Sequence, residues 1–256
     1  MKIVNKPFLQ FIYSCLLCGV PQYSMNPLNQ NRILAELNVQ KYSSYVNYKL
    51  NKTQVSILNN YIKEYNEDLH IVPIQLSKYS YPNYYLSINM YNATSPIMMT
   101  DKNIIRCELN TYIKTRDGVL GTLILDYVSN TLSMDPVNIF KKNIGKIKFD
   151  NNYNLNRLFV DSVDDDIYLD LTYKLTSDDY YISKKLVEFT DLAYYKNGVA
   201  DKVYYDSTLG NAVTKYGELM HGSVFKYKGL EFEYPDSVFY FDNSLNFIGS
   251  VWNNLS

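Results

Sequence analysis

The chain of 256 residues balances 25 Lys plus Arg against 26 Asp plus Glu, for a formal net charge of -1, and 46% of it is hydrophobic. That apolar share excludes a disordered chain, and the balanced charge excludes a protein drawn to nucleic acid by its overall field. The 27 tyrosines favour half-buried sheet, whereas the 3 cysteines, an odd number, supply no disulfide framework. A reducing, cytoplasmic compartment is therefore expected, with secretion as the alternative.

At the start of the chain, Lys2 and Lys6 precede an apolar stretch over residues 8–20, the order of a signal peptide. No A-x-A-like cleavage site follows, so a buried first segment is expected. Cys15 and Cys18 form a C-x-x-C inside this stretch. With no second C-x-x-C and no histidine pair, they read as buried thiols, and no metal site is expected.

Ile33, Leu34, Leu37 and Val39 fall at roughly helical spacing and predict a helix over residues 32–42. A second helix is expected over residues 51–65, with Asn51 and Thr53 as candidate caps. From His70 onward, runs of Val, Ile, Tyr, Phe and Thr between short Asn, Asp, Gly or Pro breaks read as successive strands. These fall near 71–77, 84–92, 104–115, 119–129, 145–150, 157–163, 166–175, 190–196, 201–205, 223–228, 237–241 and 245–252. Short helices are expected at 136–142 after Asp135 and at 180–188 after Ser177. No linker or repeat divides the chain. The fold class expected is α+β, mostly antiparallel sheet with two N-terminal helices, in a single domain over 1–256 whose mainly helical segment 1–68 packs on the sheet.

The most informative segment is a hairpin, with Arg116-Asp117-Gly118 between two alternating runs. A type I turn closed by a left-handed Gly118 pairs Thr115 with Val119. Ile113 then faces Gly121, Thr111 faces Leu123, Leu109 faces Leu125 and Cys107 faces Tyr127, an apolar face for the core. The other face carries Arg106, Glu108, Asn110 and Tyr112, with Asp126 directly opposite Glu108. Like charges so placed cost up to ~1 kcal/mol unless a cation lies between them or they share a proton. Arg106, Glu108, Asn110, Tyr112 and Asp126 are therefore the candidate wall of a ligand pocket. A solvated sheet face is the other reading of the same pattern.

The run Arg106-Cys107-Glu108-Leu109-Asn110-Thr111-Tyr112-Ile113, continued by Asp117-Gly118 and Gly121-Thr122-Leu123-Ile124-Leu125-Asp126, resembles the central hairpin of the acetoacetate-decarboxylase-like superfamily, in particular its uncharacterised branch. The stretch Phe189-Thr190-Asp191-Leu192-Ala193-Tyr194-Tyr195-Lys196-Asn197-Gly198 is similar to that branch's second landmark, and the likeness covers about residues 70–210. It implies a β-rich sandwich or cone. In the decarboxylases a Glu lies six residues before a Schiff-base Lys within an Arg-Glu, Gly-x-Pro-Lys-Lys signature. Glu108 and Lys114 keep the six-residue separation here, but Arg106 is displaced by one position, no Gly-x-Pro precedes the lysine, and Thr115 replaces the second Lys. A lysine nucleophile needs desolvation or a neighbouring cation, and Lys114 is next to a hairpin tip, so an exposed lysine is expected.

Other constellations are weaker. Asp150, Asn152, Asn154 and Asp161 fall at calcium-loop spacing, but Leu155 stands where the turn needs Gly. Asp161, Asp164, Asp165, Asp166 and Asp170 read as a solvated hairpin tip, and Lys141, Lys142, Lys146 and Lys148 as a protected strand edge. No nucleophile elbow, P-loop or dinucleotide fingerprint occurs, and no cofactor is expected. The function expected is a small-molecule-binding protein, or an enzyme of unidentified reaction, without a complete decarboxylase motif. The alternative is a non-catalytic assembly protein packing through Tyr-rich sheet surfaces. The partners implied are a small-molecule ligand and a homo-oligomer, with nucleic acid disfavoured and no membrane-spanning stretch expected.

Overall fold

The computed structural model describes residues 31–64, 66–95, 103–130, 146–152, 154–162, 167–195, 202–222 and 225–252. The apolar stretch 8–20, the Cys15 and Cys18 pair, the expected helix 136–142 and Asp164 to Asp166 lie outside these residues.

The strands are β1 (Asn31–Val39), β2 (Ser44–Lys49), β3 (His70–Ile71), β4 (Tyr85–Thr94), β5 (Ile104–Lys114), β6 (Leu120–Ser129), β7 (Lys146–Asn152) and β8 (Leu155–Asp161). They continue as β9 (Ile167–Asp179), β10 (Leu192–Tyr195), β11 (Lys202–Ser207), β12 (Thr214–Gly222), β13 (Phe225–Tyr227), β14 (Leu230–Phe232), β15 (Ser237–Phe241) and β16 (Leu245–Trp252). Among the described residues two α-helices accompany them, α1 (Lys52–Lys63) and α2 (Lys184–Thr190).

The sheet-dominated class holds, but the expectation of two N-terminal helices does not. Residues 32–42 were expected to be helical, yet most of them form β1, whose Leu37 and Val39 pair with Phe247 and Leu245 of β16. Leu37 and Val39 alternate with Glu36 and Asn38 along β1, so these apolar residues also satisfy a period of two. The described part of segment 1–68 thus holds β1, β2 and one helix rather than being mainly helical. That helix, α1, forms where expected. Asn51 Oδ1 accepts from Gln54 N–H and Gln54 Oε1 from Asn51 N–H, a reciprocal cap that settles two donors left open at the first turn. Its buried residues Leu58 and Ile62 are four apart and share one face.

The strand pairings close on themselves. β4 pairs with β1, β1 with β16, β16 with β11, β11 with β10, β10 with β6, β6 with β5, and β5 again with β4. Closure satisfies backbone groups that an open sheet would leave along its edges. The contact of β10 with β6 is parallel, with Ala193 opposite Thr122, and every other pairing among the described strands is antiparallel. Gly121 permits this approach, because a Cβ there would lie 2.8 Å from the Leu192 carbonyl oxygen. Beside the ring, β2 leads from β4 to β15, β12, β9, β13 and β14.

Alternate residues of β2, β4 and β5 belong to two different buried clusters. Val46, Ile88, Cys107 and Leu109 pack outward with α1 and with β8, β9 and β13. Tyr45, Tyr91 and Tyr112 turn to the opposite side, with Phe189 of α2 and Phe239 and Phe241 of β15. Both faces of β5 are consequently buried, and its polar residues Arg106, Glu108 and Asn110 are buried with it.

Candidate functional site

The hairpin turn forms as expected. Thr115 N–H donates to the Val119 carbonyl at 2.9 Å, and Gly118 takes the left-handed φ of 94° that favours glycine there. Ile113 opposes Gly121 and Thr111 opposes Leu123. Beyond these pairs a β-bulge intervenes: Asn110 opposes Ile124, but Leu109 opposes Asp126, leaving Leu125 as the extra residue.

The expected pairing of Glu108 with Asp126 is therefore corrected, since Glu108 stands opposite Tyr127. Asp126 is half-buried and its Oδ1 accepts from the Tyr127 N–H. The bulge lets Leu125 and Val128 both join the outer core. It also brings the Tyr127 ring beneath the Arg106 guanidinium, 4.5 Å from its centroid.

The neighbour of Glu108 is a cation, not a second acid. Arg106 Nε lies 3.0 Å from Glu108 Oε1, and the two side chains are only 7% and 10% exposed. The same Oε1 accepts a 2.8 Å hydrogen bond from the Tyr91 hydroxyl. Register explains the grouping, because Tyr91 is paired with Arg106 and Asn89 with Glu108 across β4 and β5. Two residue pairs further along, Ser87 opposes Asn110. Ser87 Oγ donates to Asn47 Oδ1 at 2.7 Å and lies 3.1 Å from the Tyr112 hydroxyl, so Tyr112 is tied into a buried polar row. Asn110 differs from these neighbours: its Oδ1 is buried with no hydrogen-bond partner.

Inside the ring lies a cavity of about 70 Å3. Each ring strand contributes to it: Leu37 and Val39 from β1, Asn89 and Tyr91 from β4, Glu108 and Asn110 from β5, Thr122 and Ile124 from β6, Ala193 from β10, Tyr205 from β11, and Leu245 and Phe247 from β16. Ser43, Tyr45, Thr190 and Phe241 complete the lining. The lining is mostly apolar with a few polar side chains among it, the composition typical of small-molecule sites.

Of the five residues singled out from sequence, Glu108 and Asn110 line this cavity. Arg106 and Tyr112 lie outside its lining on the same strand, one behind Glu108 and the other packed edge-on against Phe189 at 5.6 Å. Asp126 is outside the lining as well. Lys114 is exposed and opposes Leu120 and His70, away from the cavity. Tyr45, Tyr91 and Asn89 were not foreseen, because only strand pairing brings them beside Glu108.

Burial controls the tyrosines of the interior. It pushes the hydroxyls of Tyr45, Tyr91, Tyr112 and Tyr180 well up from their ordinary value, with Tyr112 and Glu108 adding to the effect at Tyr45. Burial also raises Tyr48 and Tyr173, and takes Tyr85 and Tyr240 to about 12. A phenol whose value is raised by folding contributes stability that is whole below the unfolded value of about 10 and is lost as pH rises toward the folded one. Stability is thus expected to fall between about pH 10 and 12. Tyrosinate absorbance from these buried rings should rise together with loss of the sheet signal in circular dichroism, and ionisation well ahead of unfolding would contradict it.

The fold resembles that of known structures. Acetoacetate decarboxylase from Legionella pneumophila superposes with a TM-score of 0.56 at 12% identity, covering 92% of this chain and 95% of that one. An acetoacetate decarboxylase-like enzyme from Sphingomonas wittichii gives 0.54 at 11% identity, with 89% and 96% covered. A further acetoacetate decarboxylase gives 0.52 at 10%, with 93% and 98% covered. The chain therefore has an acetoacetate-decarboxylase-like fold. No protein-family model matches the sequence, and no curated protein matches it either. No helix among the described residues is long and apolar enough to cross a membrane.

Proposed function

We propose that the chain is a small-molecule-binding protein whose ligand occupies the interior of the strand ring, held at its polar end by Glu108 and Asn110. The carrying observation is the Asn110 amide oxygen, buried without a partner in a side chain that lines the cavity. An unsatisfied buried acceptor costs about 1–3 kcal/mol, a cost that a ligand donor offsets. Arg106 and Tyr91 belong to the site as the groups that hold the Glu108 carboxylate in place. The reading takes the chain as one domain, supported by a ring that joins β1 to β16.

The test uses the neutral fluorophore N-phenyl-1-naphthylamine. It is expected to gain fluorescence saturably at one molecule per chain, and Ala193→Phe, which fills the cavity from β10, is expected to abolish that gain while keeping the circular dichroism spectrum. No saturable gain in the wild type, or an equal gain in the filled variant, sinks the reading.

Schiff-base chemistry at Lys114 is no part of this proposal, since that lysine is exposed and outside the lining. Treatment with acetoacetate and borohydride should leave Lys114 unmodified by mass spectrometry. A stoichiometric adduct there would revive a decarboxylase reading.

One observation favours the assembly reading beside this one. Tyr79 and Tyr81 are 72% and 86% exposed, and the Tyr79 and Tyr181 rings meet at 5.8 Å beside Lys78. A homo-oligomer formed through this patch would dissociate in Tyr79→Ser/Tyr81→Ser, as read by sedimentation. An unchanged mass in that variant removes the reading.

A further inference from the structure

We propose that the ligand is a small protonated amine with a compact apolar body, an inference that rests on the ligand-binding reading above. Among the described lining residues the one formal charge is the Glu108 carboxylate, and no lysine, arginine or histidine joins it. The Tyr91 hydroxyl donates to Glu108 Oε1, and Arg106 Nε lies 3.0 Å from the same oxygen. The Arg106 guanidinium is held behind Glu108 and over the Tyr127 ring, outside the lining. An anionic ligand would thus meet a carboxylate with no lining cation to receive it.

An alkylammonium group fits the same surroundings. It pairs with the Glu108 carboxylate, and Asn110 lines the same cavity from the same strand. Tyr45, Tyr205, Phe241 and Phe247 add aromatic rings to the walls, and ring faces attract cations. A neutral alcohol gains the hydrogen bond but neither the ion pair nor the ring attraction. Because Arg106 offsets part of the carboxylate's charge, the preference for the cation is expected to be about tenfold rather than larger.

Displacement of N-phenyl-1-naphthylamine from the wild-type chain by benzylamine, benzyl alcohol and benzoate at pH 7 tests this. Benzylamine should displace it at about one-tenth of the benzyl alcohol concentration, with benzoate the weakest. In Glu108→Gln the amine should lose that advantage while benzyl alcohol changes by less than about twofold. The wild-type ranking decides alone if the variant does not fold. Benzyl alcohol or benzoate equal to the amine in the wild type overturns the proposal and leaves the cavity reading intact, because the fluorophore still binds. A fluorophore that does not bind the wild type overturns the cavity reading itself.

Discussion

Arg106→Met is expected to cost about 3–5 kcal/mol in urea unfolding, among the largest effects of any single change in the chain. The reason is the burial of its partner: the side chains of Arg106 and Glu108 are 7% and 10% exposed. Removing the guanidinium leaves the carboxylate accepting from the Tyr91 hydroxyl without its neighbouring cation and takes the charge off the Tyr127 ring. Desolvation opposes the pair as a whole, so replacing both charges by apolar groups is far less damaging than removing one. The double variant Arg106→Met/Glu108→Leu should therefore recover most of the loss. A single variant within about 1 kcal/mol of wild type would mean that the carboxylate reaches water, and the enclosed character of the site would fall with it.

Phe239→Ala is expected to cost a similar 3–5 kcal/mol. Phe239 is fully buried and stacks on Tyr180 at 4.4 Å and on Tyr45 at 5.2 Å, with Phe241 edge-on at 5.9 Å. The loss combines transfer of a large apolar group with the cavity left among rings that cannot collapse into it. Since Tyr45 also lines the cavity, the fluorophore should bind the folded variant more weakly. Urea denaturation gives the first quantity, and titration below the unfolding midpoint gives the second. A cost under about 1 kcal/mol would show that the ring stack is not tightly packed.

What the sequence discloses depends on how far apart the partners are. The turn at Arg116-Asp117-Gly118 was legible because its geometry is local, and it set the first pairs of the hairpin correctly. The bulge was not, since Leu123, Ile124 and Leu125 are uniformly apolar and give no alternation to betray an extra residue. β1 was misread as a helix for a related reason: its apolar spacing suits either period, and β16 decides the matter from the far end of the fold. β12 was missed because Gly217 interrupts it, although a Cβ there would lie 2.6 Å from the Tyr173 ring, so glycine is what lets β12 approach. α2 begins at Ser183, whose hydroxyl accepts from Leu186 N–H, rather than after Ser177. Within the site, Glu108 and Asn110 were visible as polar residues on one strand face. Their aromatic and aliphatic surroundings come from strands scattered along the chain.

The pairing of β1 with β16 also sets when the molecule can mature. Asn31 lies opposite Trp252, so the ring stays open until almost the whole described length has been synthesised. Until then β1 and β11 lack a neighbour that each of them requires, and Leu245 and Phe247 have not yet reached the cavity. Contacts so distant in sequence slow folding, and unfinished chains carry unpaired strand edges that invite aggregation. The cavity wall is therefore complete only once β16 has been made and has paired with both β1 and β11.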